Sequence, residues 1–254
     1  MDTTVRSTMT DEALLQLLHD AADAVALALA SVHDWGPSGL RLGQYAADLD
    51  ADAAVLSVLR RAGVGVLSEE SGLEGADRPL VVVVDPLDGS TNASRGLPWF
   101  ATALCAIDAD GPRVSLVAHQ GGGPRFSAVR GAGASADGHR LSPSVCTDLG
   151  AAVLGLNGLP REHYGWAQYR TMGAAALDLC AVASGVLDGY VDCVDEAHGV
   201  WDYAAAVHIC REAGAVCEEA FSRDLFVLDH SARRTPVAAG TSELLDALLA
   251  ARAR

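Results

Sequence analysis

The sequence predicts a mixed α/β protein whose helices and strands lie in layers. Segments near both ends carry apolar residues at helical spacing. The stretch Leu80 to Val84 contains four consecutive valines, which suits a strand covered on both faces. The middle of the chain is a series of short β-rich runs divided by glycine turns, as in an antiparallel meander.

In chain order, Asp11 to Val32 reads as an amphipathic helix, with Leu14, Leu17, Leu18, Val25 and Leu29 spaced for one face. Asp48 to Ala62 reads as a second, with Val55, Leu56 and Leu59 inward. Val64 to Leu67 is a short strand and Leu80 to Val84 a stronger one. Ala101 to Ile107, Val114 to Ala118 and Arg125 to Val129 follow as strands, with Gly121-Gly122-Gly123-Pro124 turning between the last two. Ala152 to Leu156 is extended, Ala174 to Val186 helical and Gly189 to Cys193 extended again. Asp202 to Ala213 is a helix stopped by Gly214. Leu225 to Leu228 and Pro236 to Ala239 read as short strands, and Ser242 to Arg252 as a closing helix.

Composition narrows the function. With 254 residues, half of them hydrophobic, the chain can bury a large core. No apolar run approaches the roughly 20 residues that span a bilayer, and Met1 to Glu12 lacks the apolar stretch of a signal peptide. The six cysteines are scattered without a paired motif. These features predict a cytoplasmic protein. A net charge of −15 argues against nucleic acid and anionic membranes as partners. A phosphorylated substrate would need a local reversal of that field, which a bound cation supplies.

The chemistry is concentrated in Asp85-Pro86-Leu87-Asp88-Gly89-Ser90-Thr91-Asn92. The valine strand delivers Asp85 at its carboxyl end, and Pro86, which cannot donate to a ladder, is expected to break the strand there. Asp88 follows in a turn, and Gly89 permits unusual backbone angles. Ser90, Thr91 and Asn92 can turn backbone N–H groups toward a phosphate oxygen. Two carboxylates about 4 Å apart repel by roughly 4 kcal/mol at an effective dielectric near 20, and a hard divalent cation such as Mg2+ removes that cost. Two more acidic positions stand out: Glu69, in Ser68-Glu69-Glu70-Ser71-Gly72, and Asp202, in Val200-Trp201-Asp202-Tyr203. Read singly, each has an ordinary alternative: an Asp-Pro turn, a solvated acidic loop, a helix N-cap.

Together these segments resemble the inositol monophosphatase family of Mg2+-dependent, lithium-sensitive phosphatases. The Asp85–Asn92 run is similar to its first signature, Trp201-Asp202-Tyr203-Ala204-Ala205-Ala206 to its second, and Glu69 to the first glutamate of its Glu-Glu pair. Thr171 to Cys180 resembles its substrate-side segment. The resemblance implies a single catalytic domain over residues 1–254, folded as an alternating α-β-α-β-α sandwich of the inositol monophosphatase / fructose-1,6-bisphosphatase type, and a homodimer. It implies that Glu69, Asp85 and the Leu87 carbonyl hold one Mg2+ and that Asp85, Asp88 and Asp202 hold a second, with a third, weaker ion beside Glu69. Asp48, Ser90 and Glu69 would serve the attack of a water on a small phosphorylated metabolite, in line and without a phosphoenzyme. Asp48 also reads as a plain N-cap. Gly89 and Ser90 would hold the phosphate, while Asp88, Ala175, Asp192 and Asp202 would face the hydroxyls of the substrate. More residues separate Asp192 from Trp201 than in the inositol enzymes, so Asp195, Glu196 and His198 compete for the role of Asp192; His198 reads as an exposed loop histidine. Ser90 stands where threonine is usual, and Arg41 to Ala47 lacks the threonine and lysine that usually precede the Asp48 position.

Other readings fit less well. A haloacid-dehalogenase phosphatase needs a closer aspartate spacing than Asp85 and Asp88 offer, and neither Gly63-Val64-Gly65 nor Gly131-Ala132-Gly133 completes a dinucleotide fingerprint. A non-catalytic metal and phosphate binder is the alternative of another class. Within the superfamily, histidinol-phosphate, fructose-1,6-bisphosphate and 3′-phosphoadenosine enzymes share the metal site. Only Arg161 and Arg170 offer themselves for a second phosphate, which favours a monophosphate.

Overall fold

The computed structural model describes residues 9–253; most of Met1 to Glu12, read above for targeting signals, lies outside them. In chain order the elements are α1 (Asp11–Ala30), α2 (Ala46–Ala62), β1 (Gly65–Ser68), β2 (Gly72–Glu74), β3 (Val81–Asp88), α3 (Ser90–Ser94), β4 (Ala101–Asp108), β5 (Gly111–His119), β6 (Arg125–Val129), β7 (Gly133–Ala136), β8 (His139–Arg140), β9 (Val153–Asn157), β10 (Gln168–Arg170), α4 (Ala175–Ala183), β11 (Gly189–Asp192), α5 (Val200–Ala213), β12 (Val216–Glu219), β13 (Pro236–Ala239) and α6 (Ser242–Arg252). They build an eight-stranded sheet, ordered β2-β1-β3-β4-β5-β6-β7-β8, and a five-stranded sheet, ordered β10-β9-β11-β13-β12. Both are mixed: β1–β3 and β9–β11 pair in parallel, whereas β3–β4 and β11–β13 are antiparallel.

The valine strand shows how the layers form. Successive side chains of a strand point to opposite faces. Val82 and Val84 pack with Leu14, Leu18, Val25, Val55 and Leu59 of α1 and α2. Val81 and Val83 pack with Leu177, Tyr203 and Val207 of α4 and α5. Those two helices also cover Tyr190 and Ala238 of the second sheet, whose far face packs Leu154, Val191 and Val237 against Leu244 and Leu248 of α6. The order of layers is therefore α-β-α-β-α, as expected.

Three expectations need correction. Pro86 does not end the strand: β3 runs on to Asp88. Asp85 pairs with Ala103 and Asp88 with Ala101, so one extra residue on β3 is taken up as a bulge. The bulge absorbs the missing proline N–H, and the Pro86 carbonyl accepts from Thr102 Oγ1 at 3.0 Å. Leu225 to Leu228 forms no strand. Its Leu225 carbonyl accepts from the Tyr203 hydroxyl at 2.7 Å, and the preceding Asp224 carbonyl accepts from Arg234 Nε at 2.7 Å, in place of ladder bonds. Finally, α1 does have the length and apolar composition of a bilayer-spanning helix. One face of it, from Leu14 to Leu29, is buried against α2 and the first sheet, and Asp23 on another pairs with Arg125. Those contacts are what a core helix makes.

Candidate active site

The bulge in β3 gives the acidic pair its geometry. In a regular strand, residues three apart point to opposite faces. Here Asp85 and Asp88 lie opposite Ala103 and Ala101, two residues apart on β4, so the extra residue returns both aspartates to one face. That face looks toward α4 and α5. Both side chains are buried. Asp85 Oδ1 accepts from the Leu87 N–H at 3.0 Å. Asp88 accepts from Ala175 N at 3.2 Å and Ala176 N at 2.8 Å, which places it on the positive end of α4. The backbone of Ala175 thus serves the site by fixing Asp88.

Gly89 closes the bulge at φ +83, and a Cβ there would lie 2.9 Å from the Trp99 carbonyl and 3.0 Å from Ala174 Cβ. Only glycine meets both demands. The short α3 that follows is tied down by Asn92, whose Nδ2 donates to the Trp99 and Met172 carbonyls at 2.8 and 2.7 Å.

Glu69 arrives from the neighbouring strand. Ser68 pairs with Val84, and the next amide, Glu69 N, donates to the Val84 carbonyl at 3.1 Å, which sets Glu69 beside Asp85. Asp202 arrives from α5. Its ordinary alternative is an N-cap, but the helix begins at Val200, and Asp202 is its third residue, accepting from the Gly199 N–H at 2.7 Å. Glu69, Asp85 and Asp202 each offer an oxygen within 4.8 Å of the others. An all-oxygen, all-anionic donor set of this kind could bind a hard divalent cation. Burial, then the repulsion of Asp202 and Glu70, pushes Glu69 up to about 9. Burial and Asp202 push Asp88 up to about 8, and burial, Glu69 and Asp88 hold Asp85 well above the carboxylate range.

Asp48 repeats the geometry of Asp202. It too is the third residue of its helix, accepting from the Tyr45 N–H at 2.8 Å. Its Oδ1 is buried without a hydrogen-bond partner. Burial raises its pKa to about 6, against the lowering pull of the Tyr45 amide and of the Ser90 hydroxyl. Asp48 and Ser90 are therefore neighbours, and α2 and α3 are further joined where the Tyr45 hydroxyl meets Thr91 Oγ1 at 3.1 Å. The unusual loop before Asp48 has a defined job: Arg41 pairs with Glu70 Oε2 at 2.8 Å and lies 3.8 Å from Glu69 Oε1, and Gln44 donates to the same Glu70 oxygen.

The predicted substrate end differs most from the sequence reading. Asp192 is fully buried, with Oδ1 accepting from Asn157 Nδ2 at 2.9 Å and Val194 N at 3.0 Å. Asp195 pairs with Arg252, and Glu196 with Arg223 at 2.6 Å, so both are spent on surface ion pairs. His198 is not an exposed loop residue: its side chain is 12% exposed, with Nε2 3.5 Å from Asp192 Oδ2 and Nδ1 3.3 Å from Asp202 Oδ2. Burial works against its charge, but Asp202, Asp192 and Asp88 outweigh it and hold the imidazole at about 9. His230 carried no sequence signal at all. Its Nε2 meets the Glu69 carbonyl at 3.0 Å while its ring stacks 4.7 Å from that of Trp201, joining the segments that carry two of the acids.

Comparison with known proteins agrees with this geometry. A family model described as the inositol monophosphatase family matches residues 44–254. The chain is 36% identical over 195 residues to a Nus factor SuhB of Pasteurella multocida, covering 68% of this chain and 72% of that one. It is 33% identical over 199 residues to a fructose-1,6-bisphosphatase of Pyrococcus furiosus, covering 77% of each. A solved inositol monophosphatase from Anabaena (Nostoc) sp. superposes with a TM-score of 0.78 at 26% identity, covering 94% of this chain and 95% of that one.

Proposed function

The chain belongs to the inositol monophosphatase family, and from that premise we propose that it is a Mg2+-dependent phosphatase acting on a small-molecule phosphate monoester of the inositol monophosphate kind. The observation that carries the reading is the convergence of Glu69, Asp85 and Asp202 oxygens within 4.8 Å, with Asp88 on the same face. Three segments distant in sequence bring anionic oxygens to one place, at an electrostatic cost that a divalent cation removes.

Glu69, Asp85, the Leu87 carbonyl, Asp88 and Asp202 would hold two Mg2+ ions, with a third beside Glu69. Bound there, Mg2+ supplies a positive field for the phosphate and an acidified water. The protein's own groups do the rest. Asp48, paired with Ser90, orients the attacking water and takes its proton at Oδ1, the oxygen left without a partner. The Gly89 and Ser90 amides face the phosphate, at a backbone conformation only Gly89 permits. Asp88 and Asp202 border the leaving group. The whole of 1–254 acts as one catalytic domain, in a cytoplasmic homodimer. The net charge of −15 supports a metabolite rather than a nucleic acid as partner, although some relatives are named Nus factors.

The test is phosphate release from inositol 1-phosphate, histidinol phosphate, fructose 1,6-bisphosphate and 3′-phosphoadenosine 5′-phosphate, each with Mg2+ or with EDTA. Release that requires Mg2+ and is fastest on the inositol ester is expected. No release from any of the four leaves the non-catalytic reading in its place.

A further inference from the structure

Asp202 needs a fixed orientation to join Glu69 and Asp85, because the side chain of a helix residue has several rotamers. Its Oδ2 receives two donors. The Gly199 N–H reaches it at 2.7 Å and His198 Nδ1 at 3.3 Å, which leaves Oδ1 for the acidic cluster. A carboxylate oxygen only accepts, so Nδ1 carries a proton whatever the state of the other ring nitrogen.

The imidazole is itself held from behind. Its Nε2 lies 3.1 Å from Asn157 Nδ2, 3.2 Å from the Tyr190 hydroxyl and 3.5 Å from Asp192 Oδ2. The His198 backbone is clamped to Arg234, donating to its carbonyl at 3.2 Å and accepting from its N–H at 2.8 Å. Asp192 Oδ2 is buried with no hydrogen-bond partner, and among the described residues His198 Nε2 is the one basic nitrogen facing it at salt-bridge distance. A buried carboxylate left unpaired is costly, which explains why Asp192, expected on the substrate side, is built in behind the histidine.

We propose that His198 is a positioning residue: in an Asp192–His198–Asp202 relay, its Nδ1 proton holds Asp202 Oδ2 so that the other oxygen of Asp202 faces Glu69 and Asp85 as a cation ligand. The relay rests on the divalent-cation reading of that cluster. It is a property of the longer segment between Asp192 and Trp201, which gives the chain room to fold His198 back over Asp192. Outer partners of metal ligands fix ligand orientation, and their loss weakens metal binding by about 10–100-fold.

The experiment is titration of Mg2+ into the full chain by calorimetry, on wild type and on His198→Ala, His198→Asn and His198→Gln, with circular dichroism to confirm folding. The Asn amide reaches where Nδ1 sits, and the Gln amide reaches where Nε2 sits. The relay predicts that His198→Ala and His198→Gln weaken Mg2+ binding about 10-fold or more, while His198→Asn stays within about threefold of wild type. A residue that merely fills the space beside Asp192 and Tyr190 would be rescued by Gln instead. If Asn is no better than Gln, the positioning role is overturned, and the comparison stands even if His198→Ala fails to fold. If wild type itself binds no Mg2+, the cation reading fails and the relay falls with it; wild-type binding with unaltered variants overturns the relay alone.

Discussion

Loading the site with a divalent cation should expel protons, and their number follows from the carboxylates. Without a cation, Glu69 titrates at about 9 and Asp88 at about 8, and Asp85 also lies well above its usual range. At pH 7 Glu69 and Asp88 are therefore largely protonated. Mg2+ takes carboxylates, so loading the site at pH 7 releases about two protons, one from Glu69 and one from Asp88. By linkage, affinity then rises about 100-fold between pH 6 and pH 7, equivalent to about 2.7 kcal/mol. The sign for folding runs the same way. An acid whose folded pKa is raised makes the cation-free protein lose stability as pH climbs, here from about 4.5, the ordinary value for Glu69, toward about 9. Mg2+ should restore that loss, and restore more at pH 8 than at pH 6. Calorimetric titration in buffers of differing ionisation enthalpy counts the protons directly. A release below about half a proton at pH 7 would mean that the cluster is already ionised without a cation, and the repulsion argument would be wrong.

Other perturbations test separate parts of the structure. Asp88→Asn should lower Mg2+-dependent phosphate release at least about 100-fold while the chain still folds; near-normal turnover would remove Asp88 from the site. Gly89→Ala forces a side chain into φ +83 and against the Trp99 carbonyl at 2.9 Å, so it should destabilise by about 2 kcal/mol and lower the melting temperature by roughly 4–8 °C; an unchanged melting curve would refute the close approach. His208, buried with Nδ1 2.8 Å from Ser115 Oγ, is lowered by burial from 6.5 to about 4. Its contribution is complete above pH 6.5 and is lost as pH falls toward 4, about 3 kcal/mol in all; urea unfolding of His208→Asn should show a flatter slope than wild type over that window.

The parts of this protein legible in its sequence are those with local causes. The valine run had to be a two-faced strand, and the apolar spacing of α1, α2 and α6 fixed their inward faces. Most acids of the site were legible because they stand beside an element boundary: Glu69 after β1, Asp88 at the end of β3, Asp202 at the start of α5; Asp85 is marked instead by the proline that follows it. Their register was not. Proline in a strand signals a break, and whether the chain ends there or bulges is decided by the partner strand, here by Ala101 and Ala103 of β4. The same holds for Asp48 and Asp202, for which the sequence leaves an N-cap as the alternative and which the fold makes the third residue of a helix, a shift within the usual ambiguity of helix ends. His198 and His230 were the least legible. His198 faces Asp192 and Asp202 close by in sequence, but it is held from behind by Asn157, 41 residues away, and His230 meets Glu69, 161 residues away. No pattern of spacing encodes such a contact.

The net charge of −15 and the proposed anionic substrate are reconciled by where the charge sits. Many of the acids are spent on arginines, as in the pairs of Arg60 with Glu74, Arg130 with Asp108 and Arg223 with Glu219. Asp85, Asp88 and Asp202 are not, and Glu69 only approaches Arg41, at 3.8 Å, while Arg41 lies closer to Glu70. Under the proposed reading, four carboxylates against two Mg2+ ions would sum to about zero, while Arg41 is offset by Glu70 and His198 by Asp192. A phosphate dianion would then meet far less negative charge with the proposed cations bound than without them. On that reading the carboxylates that build the site would repel a phosphate until the cations arrive, and the bulge that turns Asp85 and Asp88 to one face would impose ordered binding, cation first and phosphate second.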